Sequence, residues 1–354
     1  MKGIILAAGR GTRLRPLTHT GPKHLLPLAG RPIISYGVSK LKEIGLTEIG
    51  VVVGYRADDI RGYLKDGTDH GVKVHYILQQ PQKGIAHALK FAEQYVANDR
   101  FVVYLGDNLL KQGLRQFADK FERGDFDAFL LLSKVRNPER FGVAVMDGEK
   151  VVELVEKPRK HISDLALVGI YFLKPVIFKA IRQTKPSWRN ELEITDAVQW
   201  LIDRGYNVQA DIVEGWWADT GTELDLLEAN YLLLEDLAPN IEASLERNVK
   251  IVGKVRIEEG TRIRSDTTVR GPAYIGKNCL IENAAVRPFT SIGDNCEVKD
   301  TEIEHSIVMD NCRICCKRRI VDSIIGKNST LLSEDRKPTS GCRLIVGENS
   351  KIYI

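Results

Sequence analysis

Two rules of apolar spacing divide the chain. Up to about residue 235, short β-branched runs alternate with stretches of helical period. GIILAA (3–8), EIGVVVG (48–54) and FVVYLGD (101–107) are nearly continuous apolar runs, the pattern of strands buried on both faces. PIISYGVSKLKEIG (32–45) and HALKFAEQYV (87–96) carry apolar residues at helical spacing, and the first stops at Gly45. This alternation predicts a mostly parallel sheet with helices on both faces. In such sheets ligands sit at the carboxyl ends of the strands, where GIILAAG and FVVYLGD place their glycine and polar residues.

After residue 240 the period changes to six. Ile251, Ile257, Ile263, Val269, Ile275 and Ile281 keep it; after a slip of one, Val286, Ile292 and Val298 resume it. Val308, Ile314 and Ile320 follow after further slips. Six fits neither a helix nor a hairpin, and it predicts a parallel β-helix of hexapeptide repeats. Small residues recur four places after the apolar one: Thr261, Thr267, Ala273, Cys279, Ala285, Cys296, Cys312, Ser329 and Ser350. One side chain per hexapeptide must fit a tight coil interior, and these do. The boundary falls after TELDLLEANYLLLEDL (222–237) and Pro239, giving domains of 1–238 and 239–354. Residues 326–354 leave the hexad register and are expected to form an irregular cap.

Composition narrows the function classes. Lys plus Arg number 51 and Asp plus Glu 47, a net charge of +4 over 354 residues. That balance gives no support for a nucleic-acid partner or a polybasic membrane tail. No apolar run approaches the roughly 18 residues of a membrane span. The apolar start at Gly3 is too short for a signal peptide and meets Arg10, Arg13 and Arg15 at once, so a cytoplasmic protein is expected. All six cysteines follow residue 278. Cys279, Cys296 and Cys312 share one slot of the repeat and read as small buried packing residues. Cys312, Cys315 and Cys316 could form half of a zinc site, but no second CxxC or His pair stands nearby. Cys342 has no evident role.

The densest chemistry is LAAGRGTRLRPLT (6–18) followed by PKHLLPLAGRP (22–32). A strand runs into a loop with Gly9 and Gly11, where backbone N–H groups can approach anionic oxygens. Arg10, Arg13 and Lys23 add positive charge, so the loop suits a polyphosphate. It is neither a P-loop, because no GK[ST] follows, nor a full G-x-G-x-x-G fingerprint.

These segments resemble the signature of the sugar-1-phosphate nucleotidylyltransferases. QQPQKGIAHAL (79–89), YLGDN (104–108), ERFGVAV (139–145), VEKP (155–158), LVGIYF (167–172), RNELEITD (189–196) and GWWADTGT (215–222) agree with that family in order. The group most similar is the long-form glucose-1-phosphate thymidylyltransferases. The resemblance implies a Rossmann-like doubly wound mixed sheet, the nucleotidyltransferase fold, followed by a left-handed parallel β-helix. It also implies a Mg²⁺-dependent reaction of dTTP with glucose 1-phosphate that gives dTDP-glucose and pyrophosphate.

Carried over residue by residue, the resemblance gives the following roles. Asp107 and Asp219 hold Mg²⁺. Ala8, Gly9, Gly11 and Thr12 approach the nucleotide, Arg13 binds the departing phosphates, and Lys23 binds the phosphates near the reacting centre. Gln79, with the Gly84 backbone, reads the O4/N3 edge of a pyrimidine, Gln80 being the neighbouring rival. Lys157 grips the sugar phosphate, Glu156 accepts from sugar hydroxyls, and Arg189 is a second candidate for that phosphate. Gly142 and Gly169 allow the backbone close to the sugar. Arg13, Lys23, Asp107, Lys157 and Asp219 are the catalytic set.

Alternatives stay open at this level. Thymine and uracil differ by one methyl, worth about 1–3 kcal/mol in a pocket, so dTTP and UTP are not separated. A UDP-sugar pyrophosphorylase acting on glucose or N-acetylglucosamine 1-phosphate, and a mannose-1-phosphate guanylyltransferase, share the architecture. The uridylyltransferase–acetyltransferase fusions need a catalytic His in the β-helix, and His305 reads as surface or packing. A non-catalytic scaffold subunit is the reading from another class. The chain has Ala8 where many thymidylyltransferases have Gly, and Val168 where many short forms have Thr. The regulatory nucleotide site that short forms build on a helical C-terminal segment is not expected here. The flat faces and open ends of the β-helix predict a homo-oligomer.

Overall fold

The computed structural model describes residues 1–333 and 343–353. Its contacts gather into two compact units, Met1–Arg10 with Ile34–Asp219, and Gly11–Ile33 with Thr220–Ile354. This division differs from a boundary at residue 238: the loop 11–33 and the helix after Thr222 gather with the solenoid.

The first unit is an α/β sandwich. Its strands are β1 (Lys2–Ala7), β2 (Glu48–Val53), β3 (Lys73–Leu78), β4 (Phe101–Leu105), β5 (Asn108–Leu110), β6 (Ala128–Lys134), β7 (Gly142–Asp147), β8 (Lys150–Glu156), β9 (Leu165–Leu173), β10 (Val208–Ile212) and β11 (Trp217–Asp219). Nine of them form one mixed sheet in the order β3-β2-β1-β4-β9-β6-β10-β8-β7. β3, β2, β1 and β4 are parallel; β9 runs antiparallel to both β4 and β6. The helices are α1 (Ile33–Glu43), α2 (Ala57–Leu64), α3 (Ile85–Val96), α4 (Arg115–Arg123), α5 (Val176–Gln183) and α6 (Ile194–Ile202).

Strand alternation assigns the helices to faces. Ile4, Leu6, Val52 and Val103 share one apolar cluster with Ala88, Leu89 and Ala92 of α3, Phe178 of α5 and Val198 of α6. The other face takes Ile5 and Tyr104, against which Gly37 of α1 lies so closely that an added Cβ would stand 3.0 Å from the Tyr104 ring. The ring of Phe121 in α4 meets that of Phe172 in β9 at a tilt, with centroids 5.7 Å apart.

The second unit contains the loop 11–33, helix α7 (Glu223–Glu235) and a left-handed parallel β-helix. α7 is capped by Thr222, whose side chain accepts from Asp225 N–H. The solenoid has three parallel sheets, of seven, seven and five strands among the described residues. Ile257, Ile263, Val269, Ile275, Ile281, Val286, Ile292 and Val298 are all fully buried, as the hexads require.

The small-residue slot is a hydrogen-bonded ladder as well as a packing device. Thr261 Oγ1 donates to Gly276 O (2.6 Å) and accepts from Cys279 N–H (2.9 Å). The thiols of Cys279, Cys296 and Cys312 donate to Gly293 O, Met309 O and Gly326 O, each at 3.1 Å, and Ser329 Oγ donates to Gly347 O at 3.1 Å. The corners turn through left-handed Asn278, Asn295, Asn311, Asn328 and Asn349. The last four of these link amide to amide across successive coils at 2.9–3.1 Å.

Three expectations change. Ala285 is half-buried, and Ala284 takes the inward slot, because Thr268 pairs with Ala285 where the hexad slips by one. The cap expected over 326–354 is in its described part solenoid: Thr330–Leu332, Ile345–Val346 and Lys351–Tyr353 continue the ladders. Cys342 lies outside the described residues. Ser350 is only half-buried, at the final coil.

Replacing Thr261 by the isosteric Val leaves a buried carbonyl and a buried N–H unpaired. The expected loss is about 1–3 kcal/mol of solenoid stability, read by urea unfolding. Thr261→Ser, which keeps the hydroxyl, should lose less.

Candidate active site

The first unit brings its chemistry to the carboxyl ends of β1 and β4. Ala8 is buried, and Gly9 is exposed beyond the end of β1. β4 ends at Leu105; Gly106 N–H donates to Leu6 O (2.9 Å), so Asp107 follows a turn locked to the central strand. The chain then enters β5, which pairs antiparallel with β11: Leu110 opposite Trp217, Leu109 opposite Ala218, Asn108 opposite Asp219. This register sets the half-buried Asp219 across the ladder from the neighbour of the half-buried Asp107.

Asn108 holds that corner. It is buried, its Nδ2 donates to Asp107 Oδ1 (3.1 Å), and its Oδ1 accepts from Trp217 Nε1 (2.8 Å). Its carbonyl accepts from the Tyr104 hydroxyl (2.9 Å), a phenol that burial pushes far up and so keeps protonated. Gly169 is left-handed (φ +76°), and a Cβ there would sit 2.9 Å from Leu105 Cδ1 and 3.0 Å from Asn108 Nδ2. The Trp217 ring meets Phe141 edge-on at 5.1 Å, and Phe141 O accepts from Lys157 N–H (3.0 Å). Asp107, Asp219 and Lys157 are thus linked through Asn108, Trp217 and Phe141.

The second cluster surrounds Glu156. Arg189 Nη1 donates to Glu156 Oε1 (3.2 Å) and to Glu193 Oε1 (3.4 Å), while Thr195 Oγ1 donates to Glu156 Oε2 (3.3 Å). Lys157 Nζ lies 4.0 Å from Glu156 Oε1, and the Lys157 backbone is itself left-handed (φ +45°). Gly142 belongs here: an added Cβ would stand 2.6 Å from Thr195 Cγ2 and 3.1 Å from Glu156 Oε2. Burial, aided by the Glu193 charge, raises the Glu156 carboxyl above its ordinary range against the pull of Lys157 and Arg189.

Gln79 closes the unit. It is buried while Gln80 is exposed, which favours Gln79 as the held residue. Its Nε2 lies 3.3 Å from Gly84 O, to which it donates, and 3.1 Å from His87 Nδ1. Burial, with Lys83 and Lys90, lowers His87 below the usual imidazole range, so a neutral ring accepts there. Gly84 is left-handed (φ +99°), and a Cβ would reach 2.5 Å from Leu192 O.

In the second unit, the loop folds back on itself. Gly11 is left-handed (φ +62°), and its Cβ position lies 3.1 Å from Thr18 Cγ2 and 3.2 Å from Lys23 Cβ. Thr18 Oγ1 donates to Gly11 O (2.8 Å). Lys23 therefore stands beside Gly11; Thr12 and Arg13, in a 3₁₀ turn, are exposed.

Asn108, Phe141, Glu193, Thr195 and His87 are the residues that sequence reasoning missed. Asn108, Glu193 and Thr195 sit inside motifs already singled out, and a buried polar residue there had to have partners. His87 also lies in the motif 79–89, but its role exists only through Gln79.

The pair Asp107 and Asp219 supplies hard oxygen donors, the chemistry for a divalent cation that keeps waters and shares substrate oxygens. Among the described residues no group of three or more His, Cys, Asp or Glu could hold a metal ion. In the solenoid, Cys312 and Cys316 face the apolar interior, and Cys315 lies half-buried between them in sequence. His305 packs edge-on to Phe289 and Tyr231.

Residues 2–236 match the nucleotidyl transferase family. The chain belongs to that family. It is 44% identical over its whole length, and the whole of the relative's, to the low-salt glycan biosynthesis nucleotidyltransferase Agl11 of Haloferax volcanii. It is 42% identical to a glucose-1-phosphate thymidylyltransferase of Streptomyces antibioticus, over 100% of this chain and 99% of that one. A Bacillus anthracis protein provisionally named a glucose-1-phosphate thymidylyltransferase, crystallised with a sucrose, superposes with a TM-score of 0.62 at 42% identity. That match covers 66% of this chain and 94% of the other. The protein is a nucleotidyltransferase with sugar 1-phosphates and nucleotides as its substrate class, and its family generally uses a divalent metal ion. No helix among the described residues is long and apolar enough to cross a membrane.

Two outcomes are expected. Glu156→Gln should raise thermal stability at neutral pH, because a raised carboxyl contributes stability below its unfolded value and loses it as pH rises through its folded value. The advantage over wild type should shrink as pH falls toward 4.5, the ordinary value, in melts taken across that range. Gly169→Ala should cost about 1–3 kcal/mol for the left-handed backbone alone and lower turnover by displacing Asn108, checked by melting and by pyrophosphate release.

Proposed function

We propose that the enzyme transfers a thymidylyl group from dTTP to glucose 1-phosphate with Mg²⁺, giving dTDP-glucose and pyrophosphate. The observation that carries this reading is the β5–β11 register, which gathers Asp107 and Asp219 at the end of the central strand β4. A divalent cation bound there would neutralise phosphate oxygens and stabilise the charge that develops in the transition state. An oxygen of the sugar phosphate attacks the α-phosphorus in line; a new P–O bond forms as the bond to the β-phosphate oxygen breaks. The nucleophile is already an anion, so no general base is needed, and catalysis rests on positioning and electrostatics.

Lys157 holds the sugar phosphate, with Arg189 as the second cation of that cluster. Glu156 accepts from the sugar hydroxyls, and Gly142 and Gly169 leave room for the ring. Arg13 takes the departing phosphates and Lys23 those near the reacting centre, beside Gly9, Gly11 and Thr12. Gln79 reads the base: a pyrimidine O4 takes over the amide bond now given to Gly84 O, and its N3–H donates to that carbonyl. The 42% identical Streptomyces thymidylyltransferase supports dTTP and glucose 1-phosphate as the pair.

The test is pyrophosphate release from glucose 1-phosphate with dTTP, UTP, GTP, CTP or ATP, each with Mg²⁺. Release strongest with dTTP is expected, and release confined to a purine nucleotide would overturn the assignment of Gln79. Asp107→Asn should fold normally and lose at least about a hundredfold in turnover, as removal of a key electrostatic group does. Wild-type rates in that variant at low Mg²⁺ would remove Asp107 from the metal site.

A further inference from the structure

The loop that carries Arg13 and Lys23 clusters with α7 and the solenoid. Its attachment runs through one buried side chain. Asn230, in α7, is 1% exposed. Its Oδ1 accepts from Ala29 N–H (2.9 Å) and from the Ser291 hydroxyl (2.6 Å), and its Nδ2 donates to Phe289 O (3.2 Å). A single amide therefore ties together the loop, the helix and two solenoid positions. Ala29 and Gly30 are both left-handed (φ +45° and +82°). Gly30 lies flat on Tyr274, where any Cβ would collide with the ring at 2.1 Å. Ala29, Leu234 and Tyr274 form a buried cluster around this junction. A second contact lies before Lys23: the Cβ position of Gly347, in the last coils, is 3.3 Å from Pro16.

A buried asparagine in mid-helix is costly unless its partners are all in place. Here three are, one in the loop and two in a single coil of the solenoid. The amide therefore favours one arrangement of those segments over others that bury the same apolar area.

We propose that Asn230 is a positioning residue for the nucleoside triphosphate: it holds the loop 11–33 against the solenoid and so sets the place of Lys23 and Arg13. The β-helix then serves nucleotide binding from within the same chain. This rests on the reading of that loop as the triphosphate ligand.

Three variants of the full-length protein test it, by steady-state kinetics and by hydrogen exchange without substrate. Asn230→Ala removes all three bonds, and should raise the KM for dTTP about tenfold, the equivalent of one good hydrogen bond. Its kcat and its KM for glucose 1-phosphate should stay within about twofold. Amides of residues 11–33 should exchange faster, with the nine-stranded sheet unchanged. Asn230→Asp is isosteric and keeps the acceptor for Ala29, so it should recover most of the dTTP KM. Ser291→Ala leaves Ala29 held and should behave as wild type.

Unchanged exchange in the loop of Asn230→Ala, or a parallel loss in both KM values and kcat, overturns the proposal. So does Asn230→Asp being no better than Asn230→Ala. If wild type turned over no nucleotide at all, the functional reading would fall, and the exchange result would still decide whether Asn230 holds the loop.

Discussion

The candidate active site of the first unit depends on one short antiparallel pairing, Asn108–Leu110 with Trp217–Asp219. Two carboxylates more than a hundred residues apart reach neighbouring rungs through it. The backbone ladder, the Trp217 indole on Asn108 Oδ1 and the buried Tyr104 hydroxyl on the Asn108 carbonyl fix the corner that carries them. The place of both carboxylates is therefore set by the fold.

The cluster around Glu156 uses the opposite device. Glu156 is surrounded by two cations, a second acid and a hydroxyl, all partly withdrawn from water. Its carboxyl is raised because burial outweighs the attraction of Lys157 and Arg189. A ligand bringing hydroxyl donors would supply what the protein leaves short. Close approach is built into the backbone, by Gly142 against Thr195 and by the left-handed Gly169 and Lys157.

The second unit shows how a narrow solenoid tolerates polar atoms. Thr261, Cys279, Cys296, Cys312 and Ser329 each send a hydroxyl or thiol proton to a carbonyl of the next coil. A residue there must be small and benefits from being a donor, which explains why threonine, cysteine and serine share one slot. The same unit holds the loop 11–33 through Asn230 and Tyr274.

Much of this was legible in the chain itself. Strand–helix alternation and the period of six depend only on which residues avoid water, and each half carries its pattern, the second with a few slips of register. The motif residues Asp107, Glu156, Lys157, Gln79 and Asp219 could be named because their chemistry is local to each segment. Their meeting could not. The antiparallel step at β9, the Asn108–Asp219 register, the shift from Ala285 to Ala284 and the solenoid strands beyond residue 326 are decided by long-range pairing. No local period reports such pairing. His87 and Asn230 show the limit most plainly. Each is one polar residue in an ordinary helix until the fold delivers its partners, and a hydrogen bond between distant segments leaves no trace in the spacing of either.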